Sequence, residues 1–159
     1  MSFAYRAEVE VLSHRHGLTP DLVEAVCLIE SSGKTHAYRF EPAFYDRYLK
    51  GKREWDGANP ERVSASYGLM QVMFPVAVEH GMARTEPPEY LFVPTIGLDY
   101  GCRVLAKRLE WSRGDLRSAL ASYNGGKSGN SPGSLKLRNG AYADKVLAQL
   151  AKLQGTRLT

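Results

Sequence analysis

The chain has little with which to build a metal centre or a disulfide framework. Its 159 residues include only two cysteines and four histidines, and neither type clusters at ligand spacing. Cys27 and Cys102 each sit among apolar residues at helical spacing, which predicts buried free thiols and folding without an oxidising compartment. His14 and His16 flank Arg15, while His36 and His80 stand alone. They are expected at the surface or hydrogen-bonded, with no metal and no other cofactor implied. No apolar run approaches the roughly 20 residues of a membrane span, and "MSFAYRAEVEVLSHRHG" at the start lacks the unbroken apolar core of a signal peptide. A chain made in the cytoplasm, with no signal peptide and no stable membrane insertion, is the expectation. A concentrated basic stripe is missing too. The net charge of +4 is scattered, and its densest cluster, Lys50 to Arg53, is short. This suits a polyanionic surface in general and argues against a nucleic-acid partner.

What is present is helical patterning. With 43% apolar residues, a chain of this length fits one domain, residues 1–159, because a single core organises roughly 100 to 200 residues. Tyr5, Val9 and Leu12 predict a first helix from about Ala4 to His16, stopped by Gly17. Thr19 as cap, Pro20 at the first turn and Asp21 at its positive end start a second, with Leu22, Val26 and Ile29 as its buried stripe and Gly33 as its stop. Residues 36–67 show no sustained period and read as a long ordered loop with a short helix near Ala43 to Leu49. Pro75 to His80, a long helix after "VPT", another through Leu116, Leu120 and Tyr123, and a last one through Tyr142, Val146 and Leu150 complete the count. The expectation is a mainly α fold of about six helices, with little or no β-sheet.

One acidic residue falls on an apolar face. Val23, Val26 and Cys27 precede Glu30 by seven, four and three residues, which sets its side chain on or beside the buried stripe at the negative end of the helix. Both surroundings disfavour the charged form and raise its pKa, as a general acid near neutral pH requires. Taken alone, an exposed glutamate, or one paired with Lys34, His36 or Arg39, is the commoner state of such a residue. Two further segments bear on the choice. "SASYGLMQVMFP" (64–75) joins small hydroxyls to a glycine and to Gln71, whose amide suits acetamido and hydroxyl groups. "ASYNGG" (121–126) sets Tyr123 and Asn124 at a helix end.

In their order along the chain, "IESSG", "SYGLMQV" and "SYNGG" resemble the three signature segments of the soluble lytic transglycosylase (SLT) domain. This is a lysozyme-like family related to goose-type lysozymes, and the late "AYADKV" is similar to its terminal tyrosine segment. The resemblance runs from about Leu18 to Leu150 and implies a lysozyme-like fold. It assigns Glu30 as the single catalytic acid, Gln71 with Met70 or Met73 to the glycan groove, and Tyr123 and Asn124 to the pair beneath it. Tyr142 matches the tyrosine near the catalytic carboxyl, and Ser64 or Ser66 the serine that positions the sugar. The sequence departs from the family in its longer stretch "YRFEPAFYDRYL" and in Ser122, where the family has alanine.

The implied substrate is peptidoglycan, cleaved between N-acetylmuramic acid and N-acetylglucosamine to leave a 1,6-anhydromuramic end, by a monomer without cofactor. A goose-type-like hydrolase is the nearest rival. It would draw a second carboxylate from Glu41, Asp46, Glu54, Asp56 or Glu61 to activate water. A non-catalytic glycan-binding or virion module is the other, and an inert Glu30→Gln variant beside an active wild type would remove it. An enzyme of the wall without a signal peptide needs another route out, and a bacteriophage endolysin or tail-associated protein is the expected context, with a domain of a longer secreted protein as the alternative.

Overall fold

The computed structural model describes residues 3–158. Eight α-helical segments lie among them: α1 (Arg6–Arg15), α2 (Pro20–Ser31), α3 (Pro42–Phe44), α4 (Pro60–Val63), α5 (Phe74–Glu79), α6 (Pro94–Trp111), α7 (Leu116–Gly125) and α8 (Gly140–Leu158). The mainly α expectation holds; α3, with the turn after it, falls where the short helix near Ala43 to Leu49 is expected, and α4 is the extra one, each a single turn opened by Pro42 or Pro60. No helix among the described residues is long and apolar enough to cross a membrane.

The larger helices follow their sequence signals. Pro20 opens α2, although the Thr19 side chain makes no capping hydrogen bond. The helix closes one residue before the expected stop, with Ser32 in the left-handed conformation at φ 53° and Gly33 following at φ 76°. The stripes of α2, α6, α7 and α8 meet in one core, where Val26, Cys27, Leu98, Cys102, Leu105, Leu120 and Val146 are sealed from solvent. Each such aliphatic side chain contributes about 1.5 to 3 kcal/mol by leaving water. Both cysteines are free and buried. At the far end, Arg6 and Arg157 converge on the buried Glu24, Nη1 of the first at 2.6 Å and Nη2 of the second at 3.0 Å. Asp21 pairs with the same two arginines. This cluster fastens α1 and α8 to α2.

The stretch 36–67, expected as a long ordered loop with one short helix near Ala43 to Leu49, carries more regular structure than that. It contains β1 (Tyr38–Phe40), α3, a π-helical turn (Tyr45–Leu49), a 3-10 turn (Arg53–Trp55), α4 and β2 (Ala65–Tyr67). With β3 (Val72–Met73) the strands form an antiparallel sheet in the order β1-β2-β3. Its register sets Arg39 opposite Ser66, and Ser66 opposite Met73.

The turn between β2 and β3 is clamped from two sides. Gly68 has φ 76°, and a Cβ there would lie 2.5 Å from the Leu91 carbonyl oxygen, so only glycine fits. Met70 is wholly buried and nests on α6 where Gly101 has no side chain. A Cβ at Gly101 would stand 2.7 Å from that of Met70.

Candidate active site

Glu30 is the penultimate residue of α2, and its half-buried side chain enters a groove of about 990 Å³. One wall comes from the segment after β1, with Phe44, Tyr48 and Trp55; Val104 and Arg108 of α6 and Tyr123 and Asn124 of α7 line the groove as well. The sheet supplies Ser66 and Met73, and the turn before β3 supplies Gln71. The wall is aromatic: the Phe44 and Tyr48 rings stand 4.8 Å apart, and Trp55 meets Phe74 edge to face at 5.9 Å. Such rings offer flat apolar faces to the CH surfaces of a sugar.

Burial raises the Glu30 carboxyl to a pKa of about 7, because a carboxylate out of water is poorly solvated. Tyr142, then Arg39 and Asn124, pull in the opposite direction, while the negative charge of Glu41 adds to the rise. Near pH 7 the group is therefore divided between acid and base forms.

Its neighbours are fixed by tertiary contacts. Tyr142 lies in the first turn of α8, which packs on α2. Its buried hydroxyl has no partner at full hydrogen-bond geometry yet lies near enough to Glu30 to favour the carboxylate. That hydroxyl is itself held protonated by burial and by the Glu30 charge. Asn124 accepts a hydrogen bond at Oδ1 from Asn139 Nδ2 at 2.8 Å, which turns its own NH2 towards Glu30. Asn139 escapes sequence reasoning. The space it occupies exists because residue 125 is glycine, where a Cβ would collide with the Asn139 side chain.

Other expected site residues divide between groove and scaffold. Tyr123 lines the groove and donates its hydroxyl proton to the Met70 carbonyl at 2.7 Å, tying α7 to the turn before β3. Gln71, at φ 50°, spends both Nε2 hydrogens on the carbonyls of Ala37 and Gly68, each at 3.0 Å. Only its Oε1 is left to face the groove, so the donor expected from its amide is committed to the fold. Met73 lines the groove; Met70 is buried against Gly101.

The two serines differ. Ser64 is fully buried and donates to the Glu41 carbonyl at 2.7 Å, whereas Ser66 lines the groove and its hydroxyl bonds to no described residue. Ser31, next to Glu30, was not singled out from sequence. Its hydroxyl bridges the Cys27 and Leu69 carbonyls at 2.9 and 2.8 Å and joins the end of α2 to the same turn.

Of the loop carboxylates, Glu41 and Glu54 line the groove, whereas Asp46, Asp56 and Glu61 do not. Glu41 is engaged by Arg39 Nε at 2.7 Å. No group of three or more His, Cys, Asp or Glu among the described residues can hold a metal ion.

Comparison with known proteins agrees with this fold. The lytic transglycosylase Slt of Pseudomonas aeruginosa, solved as an inactive mutant, superposes with a TM-score of 0.70 at 20% sequence identity. The match covers 98% of this chain and 24% of that one, so the chain spans about a quarter of the neighbour's length. A search of curated proteins finds no match. The profile described as "Transglycosylase SLT domain" matches residues 9–139, and the chain accordingly belongs to the transglycosylase SLT domain family.

Proposed function

We propose that the chain is a peptidoglycan lytic transglycosylase in which Glu30 serves in turn as acid and base. The observation that carries the reading is a carboxyl group poised at a pKa of about 7 on the floor of a glycan-sized groove. A protonated Glu30 gives its proton to the glycosidic oxygen as the bond to the muramic C1 breaks and positive charge develops there. The N-acetyl group of the same sugar stabilises that centre. Glu30, now a carboxylate, takes the proton from the sugar's C6 hydroxyl, whose oxygen bonds to C1 and closes the 1,6-anhydro ring. Atoms balance without water, which the closed fit of the sugar keeps from C1.

The surrounding groups support that cycle. Tyr142 and Asn124 favour the carboxylate left after the first transfer, so they lower the energy of the charged intermediate state of the acid. Ser66 and the Gln71 Oε1 are the groove's unengaged polar groups on the sheet side and hold the N-acetyl group and ring. Met73 and Tyr123 line the sugar path. Ser64 and Met70 serve by holding the strands and the turn.

Glu41 favours a second reading, a hydrolase, because it lines the groove and its charge reaches Glu30. Its engagement by Arg39 opposes the role of free base. Digestion of purified peptidoglycan separates the readings. Wild type should release products ending in 1,6-anhydromuramic acid, and Glu30→Gln should release none. Reducing muramic ends would establish the hydrolase, and no release by wild type would leave a binding module. The protein acts on the bacterial wall as a monomer in this proposal, delivered by a bacteriophage. A monomeric mass in solution and a coding region among phage structural or lysis genes are the corresponding tests.

A further inference from the structure

Arg108 has no partner that explains its position. It projects from α6 into the groove, its Nε is sealed from solvent without a hydrogen-bond acceptor, and it makes no ion pair with any described residue. Glu79 attracts it only from beyond ion-pair range. Arg108 is half-buried, and an Nε–H sealed from water without an acceptor is costly, because the lost hydration is not replaced. An unpaired cation on the wall of a groove is placed to meet a charge that a ligand brings.

The charge of the groove points the same way. Arg39, Arg47, Lys52, Arg84, Arg108 and Arg138 line it, against four carboxylates. Arg39 is taken by Glu41, and Arg84 donates to the Glu54 carbonyl. A neutral polysaccharide has no use for the remaining excess. An anionic one does.

Resting on the reading of the groove as a peptidoglycan site, we propose that Arg108 receives a carboxylate of the substrate and so selects acid-bearing glycan over neutral glycan. The planar fork of the guanidinium suits a carboxylate with two parallel hydrogen bonds. On peptidoglycan that carboxylate comes either from the peptide stem or, where the stem has been removed, from the bare lactyl group of muramic acid.

The test measures binding by calorimetry in the Glu30→Gln background, so that no ligand is consumed. Three oligosaccharides of equal length are compared: stem-bearing, amidase-stripped with free lactyl carboxylates, and a chitooligosaccharide with no carboxylate. Adding Arg108→Gln should weaken binding of an acid-bearing ligand about tenfold or more, the loss expected for a charge-assisted pair, and leave the chitooligosaccharide unchanged. Arg108→Lys should recover part of that loss through charge alone. A loss confined to the stem-bearing ligand identifies the stem as source; a loss on the stripped ligand identifies the lactyl group. Equal loss on all three ligands, or none on any, would overturn the proposal while the cleavage activity of wild type stood. If wild type neither binds nor cleaves any peptidoglycan, the functional reading falls and takes the Arg108 proposal with it.

Discussion

Glu30→Gln should stabilise the folded protein as it abolishes cleavage. In the unfolded chain the carboxyl titrates near 4.5, and in the fold near 7. Between those values the native state binds more protons than the unfolded one, so stability falls as pH rises through the window. Above about pH 7 the full cost of an unsolvated carboxylate is present. A shift of this size corresponds to about 3 kcal/mol. Glutamine has nearly the same shape, never ionises, and can accept from Tyr142 and Asn124 at its Oε1. At pH 8 the variant should therefore be more stable by about 2 to 3 kcal/mol, and at pH 4, where Glu30 is neutral in the fold and mostly neutral in the unfolded chain, by almost nothing. In urea, with a slope of about 2 kcal/mol per molar, the midpoint should rise by about 1 M or more at pH 8 and stay level at pH 4. Equal midpoints at both pH values would refute the burial of charge at Glu30. So would a variant less stable at pH 8 than wild type.

Three further outcomes follow from the site. As a general acid, Glu30 must be protonated, so kcat/KM should fall about tenfold per pH unit above about 7; Tyr142→Phe removes the strongest influence holding that pKa down and should move the limb to higher pH. An unmoved limb would mean that Tyr142 does not act on Glu30. Ser66→Ala should cut kcat/KM with little change in melting temperature, while Ser64→Ala, which loses a buried hydrogen bond to the Glu41 carbonyl, should cost about 1 kcal/mol of stability and leave kinetics near wild type. Reversed effects would exchange the roles of the two serines. Gly125→Ala should displace Asn139 and release Asn124, lowering turnover more than it lowers folding stability; crystallography of the variant would show whether Asn139 has moved.

Legibility in the sequence followed the length of each element. Helices α2, α6, α7 and α8 each run through several turns, long enough for the 3.6-residue period to stand out and for Pro20 or Gly125 to mark an end. The strands have two or three residues each, and β2 is buried at every position, so no alternation of apolar and polar residues exists to be read. That is why the segment 36–67 read as a loop. Glu30 was visible because its place on an apolar face is a local property of one helix. Tyr142 near Glu30 was legible only through resemblance, since their proximity depends on α8 packing against α2. The choice between Ser64 and Ser66 is set by where β2 begins, since Ser64 closes α4 and is tied to the Glu41 carbonyl while Ser66 lies within the strand, and a strand of three residues gives no pattern from which to read its start. Asn139 and Arg108 carry no signal of spacing or composition, because what distinguishes them is the partner each has or lacks in the folded chain.

The central claim is that one carboxyl group breaks the glycosidic bond and closes the ring without water. Digestion of peptidoglycan in water enriched with heavy oxygen, followed by mass spectrometry of the newly formed muramic ends, tests it most directly. The new ends should be one water lighter than a reducing sugar and free of the label. Labelled reducing ends would contradict it, and would make water the nucleophile and Glu41 the first residue to replace.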